Sequence, residues 1–227
     1  MKATKLAISL LAATGISAIT TPVVMAYEAG DWLVRGRIAS VAPVDSSGEL
    51  FVDGAATGVA GSGVTVSSDT IPELDITYMI TPNWGAELIL GYSSHDVDIS
   101  GTELAALGQV IDAKALPPTL TLQYHFSPNS NIRPYVGAGL NYTYFFSEKV
   151  TGPLQDGDAT VDMDGSFGLA AQAGVDIDIN DTWFVNLDVK YVDMDTTARF
   201  SNTAVGVAQI DVDVNPIVWG VGIGRKF

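Results

Sequence analysis

Eight stretches of this 227-residue chain alternate in hydropathy with a period of two: 32–39, 73–80, 84–93, 119–126, 136–146, 169–177, 183–191 and 217–224. In the seventh, Trp183, Val185, Leu187, Val189 and Tyr191 alternate with Asn186, Asp188 and Lys190. A period of two sends successive side chains to opposite faces of an extended chain, so each stretch is predicted to be a strand. About ten residues is the length a tilted strand needs to cross a bilayer.

The connections alternate too. Thr81-Pro82-Asn83, Ser127 to Asn131 and Asn180-Asp181-Thr182 are tight turns rich in turn-forming residues. Between them lie long connections over about 43–69, 94–115, 147–165 and 199–209. Three short turns and four long loops put both ends of an eight-stranded chain on the short-turn side. That rhythm belongs to an all-β, eight-stranded antiparallel transmembrane β-barrel with short periplasmic turns and four long extracellular loops.

A soluble sandwich also has period-two strands, so the polar face has to decide between them. A sandwich turns that face to water and fills it with Lys, Glu and Thr. Here it carries glycine, small residues and charges of both signs: Arg35, Arg37, Glu73, Asp75, Glu87, Asp188 and Lys190. Opposite charges that can meet and pair suit a narrow barrel interior. The apolar face sets Trp32, Tyr78, Trp84 and Trp183 beside the short turns, as an aromatic girdle would be. Tyr92, Tyr142, Tyr144 and Phe146 would form the outer girdle.

The N-terminus is read as an address. Lys2 and Lys5 precede an apolar stretch from Leu6 to Ile19, Pro22 breaks it, and Val24-Met25-Ala26 fits a cleavage site. Residues 1–26 are therefore predicted to be a signal peptide and residues 27–227 the barrel. Cleavage would leave a net charge of −17. With 11 basic and 26 acidic residues, the chain offers no patch for a phosphate backbone, so nucleic acid is excluded as a partner. It has no cysteine, which excludes disulfides, thiolate metal sites and cysteine nucleophiles. No later run is long and apolar enough for a spanning helix.

Several stretches resemble the outer membrane protein W (OmpW) family. They are Leu116-Pro117-Pro118-Thr119-Leu120 leading to Tyr124, and the run Arg133-Pro134-Tyr135-Val136-Gly137-Ala138-Gly139-Leu140-Asn141-Tyr142-Thr143. Gly174-Val175-Asp176, Trp183, Val185-Asn186 and Asp193-Met194-Asp195-Thr196-Thr197-Ala198 also fit, as do Glu28-Ala29-Gly30 and Tyr78-Met79. The resemblance implies a barrel with a narrow hydrophobic passage that lets small apolar molecules cross the outer membrane, with a side opening toward lipid. It puts Ile89 where the family's lumen is closed by an apolar side chain. Lys190 stands across the lumen where some relatives carry an aromatic. Arg225 departs from the tyrosine usual third from the end of outer-membrane barrels, while Phe227 is retained as the signal for the assembly machinery. The alternative is a plugged, structural barrel that acts through its loops on a receptor or the envelope. Expected partners are outer-membrane lipids and lipopolysaccharide, small hydrophobic solutes and the barrel-assembly machinery, and the barrel is expected to be a monomer.

Other constellations carry less. Ser93-Ser94-His95-Asp96 has catalytic residue types, but Ser94 and Asp96 share a strand face that His95 does not, so no triad and no enzyme is expected. His125 lies on the lumen face without a histidine or cysteine partner and is expected to be a hydrogen-bonded plug residue. Asp96 and Asp98, Asp162 and Asp164, Asp193 and Asp195, and Asp211 and Asp213 pair at a spacing of two and are expected to be solvated loop bases without a dedicated metal. No cofactor is expected. Residues 101–111 are predicted to form a short amphipathic helix with Leu104, Leu107 and Val110 on one face.

Overall fold

The computed structural model describes residues 25–52, 58–101, 105, 108–155, 157–203 and 206–227. The first 24 residues of the expected signal peptide, Asp53, Leu104 and Leu107 lie outside them. The described residues form sixteen strands: β1 (Trp32–Ala42), β2 (Ser46–Ser47), β3 (Phe51–Val52), β4 (Gly63–Val66), β5 (Asp69–Met79), β6 (Trp84–Gly91), β7 (Ser93–Ser100), β8 (Gln109–Leu116), β9 (Thr119–His125), β10 (Ile132–Val150), β11 (Thr160–Met163), β12 (Ser166–Asp178), β13 (Trp183–Val192), β14 (Asp195–Thr203), β15 (Gly206–Asp213) and β16 (Ile217–Lys226).

Eight of these close into a barrel in the order β1-β5-β6-β9-β10-β12-β13-β16 and back to β1, with every neighbour antiparallel. The alternation decides the faces as expected. Trp32, Ile38, Leu74, Leu120, Leu140, Leu187 and Trp219 point outward and are exposed, while Arg35, Asp75, Glu87, Gln123, Asn141 and Asn186 point inward and are buried. Trp32 packs on Tyr78, and Tyr124 on both Trp84 and Phe126, each with ring centroids 5.0 Å apart, in a belt beside the short turns.

The turns close by side-chain capture of backbone N–H groups. Thr81 Oγ1 accepts from the backbone of Asn83 and Trp84, and Asn180 Oδ1 from that of Thr182 and Trp183.

The long connections depart from expectation because most of their described residues are strand. The barrel wall continues past its apolar belt as two facing sheets. One joins the far end of β10 (Tyr144 to Val150) to β8, β7 and β4; the other is β11-β14-β15, with β2 and β3 paired to β15. The predicted helix over 101–111 is also corrected: Gln109, Val110 and Ile111 belong to β8, with Val110 and Ile111 buried in the core between the sheets.

One parity runs through both halves. Even-numbered residues from Phe184 to Phe200 all point inward, but the polarity inverts between Lys190 and Val192. Below that point the inside is polar and the outside apolar. Above it Val192, Met194, Ala198 and Phe200 are buried, and Asp193, Asp195 and Arg199 face water. The alternation of hydropathy changes phase while the strand runs on, which is why the sequence reads as loop there.

Candidate functional site

The lumen of the closed barrel is filled by charge. Arg35 and Arg37 rise from β1 opposite Gly224 and Gly222 of β16; the missing side chain of Gly222 leaves room for the Arg37 stem, and that of Gly224 for the Phe184 ring. A Cβ on Gly222 would lie 2.6 Å from Arg37 Cγ. Arg35 sits between Glu87 (3.1 Å) and Asp176 (2.8 Å), donates to Thr77 (2.6 Å), and lies over the rings of Phe184 and Tyr135. Glu87 also accepts from Gln123 (2.7 Å) and Gln172 (2.8 Å). One layer up, Arg37 pairs with Asp75 (2.6 Å), Glu73 (2.8 Å) and Asp188 (3.2 Å). Lys190 caps the layer with bonds to Glu73 (2.9 Å) and Asp188 (3.0 Å).

The eight charges of these two layers are each under a tenth exposed. Charges removed from water persist only where partners and hydrogen bonds surround them, and loss of one partner then costs about 3–5 kcal/mol. The network is therefore a rigid plug.

Beneath it, Met25, Tyr27, Leu33, Met79 and Phe184 form a small apolar cluster. Tyr27 Oη donates to Asp176 (2.8 Å), and the Arg133 guanidinium lies 4.2 Å over its ring while pairing with Asp178.

Thus Arg35, Arg37, Glu73, Asp75, Glu87, Asp188 and Lys190 all lie in one connected network. Ile89 lies next to it, 4% exposed, at the floor of a cavity above the plug. His125 is in the plug, its Nε2 3.0 Å from Gln123 Oε1 and its ring edge-on to Tyr27. Phe227 stands on the lipid side, its backbone exchanging hydrogen bonds with Trp32.

Sequence reasoning did not select Asp176, Arg133, Tyr135, Gln123, Gln172 or Asn186 as plug residues. The signal was present, since each lies on the inward phase of its strand, opposite the apolar one. Weighing formal charge alone within a few strands passed over it.

Above the plug the lumen opens into an apolar chamber lined by Ile71, Ile111, Phe145, Met194, Ile210 and Val212 among others, with Ile89, Glu73 and Lys190 at its floor. Its volume is about 80 Å³, taken as the space open to the centre of a water-sized sphere. One water needs about 10–15 Å³ on that measure, so the chamber holds a molecule of a few heavy atoms. Leu50, Val64, Leu154 and Phe200 belong to the same apolar core.

The wall beside the chamber carries a seam. β6 pairs with β9 as far as Ile89 and Thr119, and β7 with β8 from Ser93 and Ala115. The same register would set Leu90, Gly91 and Tyr92 opposite Pro118, Pro117 and Leu116, yet no pairing joins them among the described residues. The two prolines have no N–H to give. Their carbonyls turn away, accepting from the Asn141 side chain, and that of Pro118 also from the Tyr142 backbone. Gly91 and Pro117 line the chamber, while Tyr92 and Leu116 are exposed on the outer face.

On the arms, the Asp164 carboxylate accepts from Arg199 (2.6 Å), and that hydrogen bond holds its pKa below the usual carboxylate range. Of the cluster at 93–96, Ser93 and His95 face in and bond to each other while Ser94 and Asp96 face out, so no carboxylate of the cluster joins the pair.

The sequence was compared with known proteins. A model described as the OmpW family matches residues 28–227. Outer membrane protein W of Vibrio cholerae is 40% identical over 215 residues, 93% of this chain and 95% of that protein. The dibenzothiophene metabolism operon protein PahQ of Pseudomonas aeruginosa is 29% identical over 205 residues, 88% of this chain and 90% of its own. The crystal structure of the outer membrane protein OprG from Pseudomonas aeruginosa superposes with a TM-score of 0.82 at 37% identity, covering 90% of this chain and 99% of that one.

Proposed function

Because this chain belongs to the OmpW family of outer-membrane β-barrels, we propose that it is a passive conduit for small hydrophobic molecules. The carrying observation is the apolar chamber, which sits on a charged plug and beside an unpaired stretch of wall. A solute that reaches the chamber meets buried ion pairs below it. Crossing them would expose it to desolvated charge, whereas leaving through the seam between Gly91 and Pro117 keeps it in apolar surroundings. The solute would pass from the chamber into the lipid, with Ile89 and Lys190 as the floor that turns it aside. No energy source or cofactor enters this reading. That a relative is named for dibenzothiophene metabolism, an apolar aromatic compound, supports the substrate class.

The filled lower lumen also suits a second reading, a structural barrel acting on a receptor or the envelope through its arms. One experiment separates them: uptake of a labelled small alkane by liposomes carrying the refolded barrel, against empty liposomes and Ile89→Trp. Faster uptake that Ile89→Trp abolishes is expected. Uptake equal to that of empty liposomes, with the barrel folded, overturns the conduit.

The same proposal includes export by cleavage after Ala26, assembly through Phe227, function as a monomer, and contact with lipopolysaccharide around the barrel. Cleavage would remove Met25, whose carbonyl accepts from Arg133, and leave Tyr27 as the first residue. Arg133 keeps Ser130 and Asp178 as partners, so the Tyr27 plug contact would survive. Mass spectrometry of the protein from outer membranes should give a chain starting at Tyr27.

A further inference from the structure

The chamber is apolar except for a few polar groups, and one pair of them has no part in the plug. Ser93 and His95, two residues apart on β7, both face the chamber. His95 Nδ1 lies 2.6 Å from the backbone carbonyl of Ser67, and Nε2 lies 2.8 Å from Ser93 Oγ. A carbonyl can only accept, so Nδ1 carries the proton. In the neutral ring Nε2 is then the acceptor, and the Ser93 hydroxyl must donate to it. Among the described residues no other group donates to the Ser93 oxygen, which keeps its lone pairs. It is 3% exposed and lines the chamber, so a group that reaches it does so from there.

An acceptor held in this way inside an apolar chamber selects for a solute that brings a donor. On the floor, Lys190 uses two of its three N–H donors, on Glu73 and Asp188. We propose that the chamber is a binding site for small hydroxylated hydrophobic molecules, such as phenols or medium-chain alcohols. Their hydroxyl would donate to Ser93 Oγ, and His95 would hold that oxygen as an acceptor. His95 is a positioning residue here, since it acts through Ser93. The inference rests on the conduit reading and narrows its substrate class. Chamber size agrees: about 80 Å³ on the water-centre measure fits a single ring or short chain, not a long lipid.

The test compares 4-fluorophenol with fluorobenzene, which differ by one hydroxyl, by ¹⁹F NMR titration of the refolded full barrel in lipid nanodiscs, with empty nanodiscs subtracted. A neutral hydrogen bond contributes about 0.5–1.5 kcal/mol net, so 4-fluorophenol is expected to bind about fivefold more tightly than fluorobenzene. Ser93→Ala should bring its affinity down to that of fluorobenzene, and Ser93→Thr, which keeps the hydroxyl, should restore the preference. His95→Phe should weaken the preference by freeing the Ser93 proton. Equal binding of the two probes by the unaltered protein, or a preference that survives Ser93→Ala, overturns the proposal and leaves the conduit intact. Binding of neither probe overturns both.

Discussion

The two halves of this barrel share strands and parity but have opposite solvents. Around β13 the inward residues are Asn186, Asp188 and Lys190, and the outward ones Leu187, Val189 and Tyr191 face lipid. One turn of the pleat higher, along β14 and β15, the inward residues are Ala198, Phe200, Ala208 and Ile210, and the outward ones include Arg199, Gln209 and Asp211. In lipid the apolar face has somewhere to go, so the inside can be polar and is held by ion pairs. In water the apolar face must turn inward, so the inside is held by burial of apolar area. The lower lumen is thereby filled by ion pairs, and the upper one encloses an apolar chamber.

The contrast predicts how each half breaks. Arg35→Ala leaves Glu87 and Asp176 buried without their cation and should cost about 3–5 kcal/mol. It should be read as a large fall in the thermal midpoint of the refolded barrel, with the whole barrel lost together. Phe200→Ala removes a ring from the core of the arms and should cost a similar amount or somewhat less, about 3 kcal/mol. The loss should stay local: hydrogen exchange should rise in β14 and β15 while barrel amides remain protected. Global unfolding by Phe200→Ala would show that the halves are one cooperative unit.

A third change tests the boundary itself. The chain has no native cysteine, so Tyr92→Cys with Leu116→Cys introduces one pair across the seam. The continuing register would set these positions opposite each other, at a spacing within reach of a disulfide. Oxidation should slow solute passage roughly tenfold, and reduction should restore it; passage indifferent to the crosslink would place the exit elsewhere.

The smallest effect belongs to the arms' surface. Asp164 and Arg199 are each about half exposed, and the carboxylate's pKa is depressed by Arg199. A depressed carboxylate pKa contributes stability that is present above the unfolded value of about 3.9 and is lost as pH falls through the lower folded value. Protection factors in β11 and β14, corrected for intrinsic exchange, should therefore be flat between pH 5 and 8 and fall only below about 4. Asp164→Asn should remove that acid dependence with little change at neutral pH.

Much of this was legible without coordinates. The strict alternation in the eight stretches sufficed for the strands, their inward and outward faces and the three short turns, because lipid on one side and a narrow lumen on the other leave each residue one place to go. Arg35, Arg37, Glu73, Asp75, Glu87, Asp188 and Lys190 could be assigned to the lumen on the same ground. The long connections could not be read as strands, since hydropathy inverts at Val192 while parity continues, and a rule that follows apolar residues loses the chain at that step. Which charges pair was also beyond the sequence. Arg35 meets Asp176, 141 residues away, only because closure of the wall turns the inner faces of β12 and β1, three strands apart, toward one lumen. The chamber and the seam likewise arise from closure. Pro117 and Pro118 forbid two donors, but only the register of β6, β7, β8 and β9 turns that local fact into a gap beside an apolar space.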